Sequence, residues 1–157
     1  MINLKELRIE KRMTQQQVAD LVGIFLRSYK SYENDEEKRD TIKYNYITEQ
    51  LSKINFIDEE HGILEFEDIT RKCSKVFEQY DVNFCYLFGS YAKGKATQKS
   101  DVDLLISANV KGLRFYGLIE EIREALHKRV DILDMNQLKN NIELTEEILK
   151  DGIKIYG

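Results

Sequence analysis

The sequence predicts an all-α bundle followed by a small α/β domain built on a short mixed sheet. Three observations carry that expectation. Residues 3–34 hold short helical stretches punctuated by a capping signal at Thr14 and a glycine at Gly23. Beyond Gly62, apolar strand-like runs alternate with amphipathic helical ones, the pattern of an α/β domain. Between the two lies Ile57–Gly62, polar, acidic and ended by Gly, which reads as a linker. The expected domains are therefore residues 1–57 and 63–157.

Each element has a local cause. Leu4, Leu7 and Ile9 fall on one face of a first helix. Thr14 before Gln15-Gln16-Gln17 forms a capping box, in which the Thr hydroxyl and the Gln17 amide satisfy free N–H groups reciprocally. Val18, Ala19, Leu21 and Val22 make the apolar stripe of a second helix, and Gly23 suits its left-handed end. A third helix spans about Phe25 to Asn34, and Tyr44, Tyr46, Ile47, Leu51 and Ile54 continue a face that closes the bundle. Helix, Gly-containing turn, helix is the helix-turn-helix signature. In the second domain, helical spacing runs through Ile63, Phe66, Ile69, Cys73, Val76 and Phe77. Strands follow at Val82–Phe88, Val102–Ile106 and Arg129–Leu133, with helices at about Leu113–His127 and Gln137–Leu149.

Composition narrows the classes of function. The 157 residues are 42% hydrophobic and 33% charged, which excludes a disordered chain. Apolar runs of about five residues, such as Phe84–Phe88, fall short of the roughly 20 a membrane helix needs. The N-terminus has no basic and apolar secretory pattern, so a cytoplasmic protein is expected. Two Cys and two His match no zinc spacing and no disulfide framework. The net charge of −4 is uneven, with ten Lys/Arg against nine Asp/Glu through Ile57 and fourteen against nineteen beyond it. Any nucleic-acid contact by the first domain must therefore come from a local basic face.

The chemistry concentrates at strand ends. Gly89-Ser90 closes the first strand, and ten residues later comes Asp101-Val102-Asp103. Asp101 and Asp103, two apart at a strand start, project from one face and repel each other unless a cation neutralises them. Magnesium suits such a pair, because it takes one or two carboxylates and completes its shell with substrate phosphates. Gly89-Ser90 at a strand-to-helix turn offers backbone N–H groups and a hydroxyl to phosphate, and Lys93, Lys95 and Lys99 add positive charge nearby. Asp131 interrupts an apolar strand, and a metal shared with Asp101 and Asp103 is its simplest partner. His127 reads as a helix-end residue and His61 as a loop residue, and neither joins the site.

Two resemblances sharpen this. "LKELRIEKRMTQQQVADLVGIFLRSYKSYEN" resembles the Xre/Cro-type repressor domain over roughly the first 50 residues. The resemblance implies that Gln15, Gln16, Leu26, Arg27, Ser28 and Lys30 face operator DNA in the major groove. Phe25-Leu26 departs from the small polar pair usual there, and a bundle used only for dimerisation is the alternative. "LFGSYAKGKATQKSDVDLLI" is similar to the nucleotidyltransferase superfamily of DNA polymerase β-type fold, and within it to the minimal, MntA-like antitoxins, over about residues 63–155. It implies Gly89, Ser90 and Lys93 for the nucleotide, with Lys93 where Arg is common. Asp101, Asp103 and Asp131 are implied as catalytic ligands of two Mg²⁺ ions, with ATP as substrate. The implied acceptor is a tyrosine of a HepT-type toxin protein, and a homo-oligomer or a complex with that partner is expected. Two alternatives stand beside this one: a regulator whose second domain only senses nucleotide or dimerises, and a small-molecule nucleotidyltransferase of the antibiotic-resistance type.

Overall fold

A computed structural model describes residues 3–157. The chain divides into two compact units, Met1–Phe56 and Ile57–Gly157.

The first unit is helical: α1 (Leu4–Glu10), α2 (Gln15–Val22), α3 (Leu26–Asn34), a 3₁₀ turn (Glu36–Lys38) and α4 (Ile42–Ser52). Asn3 and Thr14 each head a helix with a reciprocal capping box, and Gly23 ends α2 at φ 70°, ψ 35°, a conformation that costs a side-chain-bearing residue about 1 kcal/mol. Leu4, Leu7, Val18, Ala19, Tyr29, Tyr44, Ile47 and Leu51 form its core. Tyr46 lies outside that core, half exposed. Beside the core sits a buried polar knot. The Glu33 carboxylate accepts from Arg8 Nε at 2.5 Å, Tyr29 Oη at 2.7 Å and Gln15 Nε2 at 2.8 Å. Burial alone would raise the Glu33 pKa; the hydrogen bonds from Arg8, Tyr29 and Gln15 reverse that and hold it below the usual carboxylate value.

The second unit runs α5 (Phe66–Phe77), β1 (Val82–Phe88), α6 (Gly89–Ala92), β2 (Val102–Ala108), α7 (Leu113–Leu126), β3 (Val130–Asp134), a 3₁₀ turn (Met135–Leu138), α8 (Ile142–Asp151) and β4 (Ile153–Tyr156). The four strands form one mixed sheet in the order β3-β2-β1-β4. β1 is antiparallel to β2 and β4, and β2 is parallel to β3, with α7 as the crossover. Alternation along the strands sorts the side chains onto two faces. Cys85, Leu87, Val102, Leu104, Ile106 and Val130 pack with residues of α5 and α7 in the main core. Phe88, Leu105 and Leu133 lie on the opposite face, with Leu144 and Ile148 of α8.

The elements differ from the sequence expectation in three places. α5 begins at Phe66 rather than Ile63, which is exposed. The last helix starts at Ile142, because Asp134 caps a separate 3₁₀ turn and Asn141 caps α8. Ile153–Tyr156 forms a strand that its four-residue length had hidden. Among the described residues no helix is long and apolar enough to cross a membrane.

Candidate active site

The strand faces place the acids. Leu105 and Leu133 point toward the α8 side, so Asp103 and Asp131, each two residues earlier on its strand, share that face. Asp103 and Asp131 are register partners across the parallel β2–β3 pair. Asp101 stands just ahead of β2, half-buried, and its charge is felt at Asp103.

Asp103 is the centre of this group. It is also paired across the antiparallel β1–β2 ladder with Phe88, the residue before Gly89. Gly89 has φ +71°, and a Cβ placed on it would stand 2.1 Å from Asp103 Oδ2 and 3.0 Å from its Cγ. The carboxylate therefore rests on the bare Cα of Gly89, in the space a side chain would fill. That contact brings the Gly89-Ser90 turn to Asp103, and only glycine satisfies both the positive φ and the close approach.

Electrostatics at Asp103 are unfavourable to its charge. Burial, then Asp131, Asp101 and Glu147, push its pKa up to about 6, with Lys93 opposing. Such a group gains from any cation that binds beside it. Among the described residues, no three His, Cys, Asp or Glu side chains already stand close enough to cage an ion. The donor set nonetheless fits magnesium, which needs one or two hard carboxylate oxygens and fills its remaining positions with water and phosphate. The ion's charge would also relieve the repulsion around Asp103.

Lys93 is occupied in this state. Its Nζ donates to Glu147 Oε1 of α8 at 2.9 Å, with both side chains about one-third exposed. Glu147 and Asp151, which raise the Lys93 pKa, are the members of this surround that the sequence did not flag. Their only sequence mark is acid at i, i+4 on a helix, the ordinary pattern of a solvated face. Lys95 and Lys99 are exposed, and Lys99 lies 3.5 Å from Glu60.

In the first unit, Arg27, Ser28 and Lys30 are exposed on α3 and Leu26 is half-buried. Gln16 is exposed and bonded to Asp20 at 2.8 Å, whereas the Gln15 amide is spent on Glu33. Phe25 is 85% exposed.

Comparison with known proteins decides the family. The model of the family described as "Polymerase beta, Nucleotidyltransferase" matches residues 71–157. The chain belongs to this family. It is a nucleotidyltransferase. A Methanocaldococcus jannaschii protein named as a putative protein adenylyltransferase is 36% identical over 81 residues, covering 50% of this chain and 83% of that one. Protein adenylyltransferase MntA of Thermococcus cleftensis is 34% identical over 84 residues, covering 52% and 85%. Among solved structures, a toxin-antitoxin complex with AMP-PNP matches at a TM-score of 0.47 and 25% identity, over 56% of this chain and 73% of that one. The family match and both relatives cover about half of the chain or little more.

Proposed function

We propose that the second unit transfers AMP from ATP to a hydroxyl of a partner protein, with a tyrosine of a HepT-type toxin as acceptor. The observation that carries the reading is the seat of Asp103 on Gly89, which sets the turn suited to phosphate against the strand that carries Asp103. The named relatives, protein adenylyltransferases of similar length to this unit, support the acceptor class.

The roles follow from chemistry and placement. Ser90 would offer its hydroxyl, and the first turn of α6 its backbone N–H groups, to the leaving phosphates. Asp101, Asp103 and Asp131 would hold two Mg²⁺ ions. Bound there, the ions neutralise phosphate charge and lower the pKa of the attacking hydroxyl. Asp131, the most exposed of the three acids, would accept the proton of that hydroxyl. Lys93 adds charge on the phosphate side once its pairing with Glu147 is exchanged for the nucleotide. The protein thus supplies positioning and charge, and the reaction needs no covalent intermediate.

The first unit, in the same reading, binds operator DNA through Arg27, Ser28 and Lys30 on α3, with Gln16 beside them. Gln15 contributes by ordering the knot at Glu33 rather than by contacting a base.

The deciding experiment incubates the full chain with Mg²⁺, α-labelled ATP and the co-expressed product of the neighbouring gene. Label appears on that partner, and mass spectrometry finds added AMP on tyrosine. Asp101→Asn and Asp103→Asn abolish it. A shift in operator affinity on adding ATP and Mg²⁺, with no pyrophosphate released, would replace transfer with nucleotide sensing.

A further inference from the structure

The Ile57–Gly62 segment reads as a linker in the sequence, yet its residues 59–62 are strapped to the rest of the second unit. The strap holds its own shape through Asp58 N–H donating to His61 O at 3.0 Å, and Asp58 Oδ1 accepting from Glu60 N–H at 2.9 Å. It then reaches outward to two short stretches of chain. Gly62 N–H donates to Gln98 Oε1 at 3.3 Å. Arg129 reaches Glu59 at 3.2 Å and Glu60 at 3.0 Å.

Lys128 lies at the centre of these contacts. It is 2% exposed, and among the described residues it is the one charged or polar residue that is fully buried. Its Nζ donates to the backbone carbonyls of His61 at 3.1 Å and Gln98 at 2.5 Å. Burial lowers its pKa, while Asp58, Glu60 and Asp101 raise it. Burying an ammonium is costly, and an apolar residue of similar volume would fill the space with less penalty. What the lysine supplies, and an apolar residue cannot, is a tie between the strap and the loop that leads into β2.

Both anchor points sit just ahead of an acid. Gln98 and Ser100 belong to the loop that ends at Asp101, and that loop is closed by Ser100 Oγ accepting from Thr97 N–H at 2.8 Å. Lys128 and Arg129 lead into Asp131, and Val102 N–H donates to Arg129 O at 2.9 Å. A side chain rooted before β3 that grips the loop before β2 fixes one strand start against the other.

We propose that Lys128 is a positioning residue: by pinning the loop carbonyl of Gln98 and the strap carbonyl of His61, it holds Asp101 in register with Asp131 for cation binding. This rests on the reading of the three acids as cation ligands. Lys128 does not touch the reacting groups. It sets how well the ligand oxygens are assembled before the ion arrives, and loss of such outer support costs about 10- to 100-fold in metal affinity.

The test uses the full chain and Mn²⁺, followed through the paramagnetic resonance signal of the free aqua ion. Lys128→Met weakens Mn²⁺ binding about tenfold and speeds amide exchange across residues 97–101. Raising Mg²⁺ to saturation restores most of its turnover number, a rescue that a simple folding defect would not give. Lys128→Gln removes the charge and shortens the side chain but keeps an N–H donor for one of the two carbonyls. It moves Mn²⁺ affinity in the same direction by less, and it decides the matter if Lys128→Met does not fold. Parent-like Mn²⁺ affinity in a folded Lys128→Met, or in Lys128→Gln should it have to stand alone, overturns the proposal. Asp103→Asn separates the two readings. If it loses Mn²⁺ while Lys128→Met keeps it, only the brace falls. If Asp103→Asn binds Mn²⁺ as the parent does, the ligand reading fails and the brace with it.

Discussion

Glu33 and Asp103 are both acids withdrawn from water, and they are treated in opposite ways. Glu33 is met by a guanidinium, a phenol and an amide, and its pKa falls. Asp103 is met by Asp131, Asp101 and Glu147, and its pKa rises to about 6. The first arrangement completes itself inside the helical unit and has nothing left to bind. The second is left electrostatically incomplete, and in the proposed reading a cation from solution completes it. On that reading buried charge marks architecture in one unit and chemistry in the other, and the neighbours of each acid tell which.

The sharpest way to separate them is Asp103→Asn, which removes the charge and keeps the shape. AMP transfer should fall on the order of 10³-fold or more, measured by label on the partner. The unfolding midpoint should hold or rise. Glu33→Ala is the mirror experiment: it strips Arg8 and Tyr29 of their shared acceptor and should cost about 3 kcal/mol in the helical unit, read by denaturant unfolding, with transfer by the second unit unchanged. Gly89→Ala comes next. Its methyl group displaces the Asp103 carboxylate, and a shift of about 1 Å at a reacting centre costs about 10²-fold in rate.

pH gives a smaller effect of opposite sign in the two places. The folded-state pKa of Glu33 is lowered, so its stabilisation is present above the unfolded value and is lost as pH falls through the folded one. That of Asp103 is raised from 3.8 to about 6, so the protonated form favours folding and this benefit is lost as pH rises through about 6. At neutral pH, Asp103→Asn should then stabilise the metal-free second unit by about 1 kcal/mol, the roughly 3 kcal/mol that a rise from 3.8 to about 6 implies being reduced by solvent screening at a half-buried group, and Mg²⁺ should raise the parent's midpoint but not the variant's. Smallest of all, Lys93→Met breaks a partly exposed pair with Glu147 and should change stability by less than about 1 kcal/mol; its larger effect is on the KM for ATP.

The local elements behind this contrast were legible in the sequence, and the contrast itself was not. Thr14, Gln17 and Gly23 act within a few residues of themselves, and their capping and turn geometry is local chemistry that spacing reveals. The mixed sheet was legible because β1, β2 and β3 are long enough to show apolar runs. β4 was not, since four residues carry no period. Gly89-Ser90 and Asp101-Val102-Asp103 were visible as patterns, but the fact that joins them is an antiparallel pairing of Phe88 with Asp103, which no spacing rule contains. Glu33 was invisible as the hub of the first unit, because Arg8, Gln15 and Tyr29 reach it from three helices. Nothing in the sequence marks Lys128, and its burial is a property of the fold that the residue's type argues against.

The bare Cα of Gly89 leaves positions 89 and 103 no independent freedom to drift. A side chain enters at 89 without displacing the carboxylate only where 103 has first become shorter, and shortening 103 discards that carboxylate. Among descendants of this fold the two sites should therefore change as a pair, in that order, and an alanine or serine at 89 would mark a lineage that has already given up catalysis.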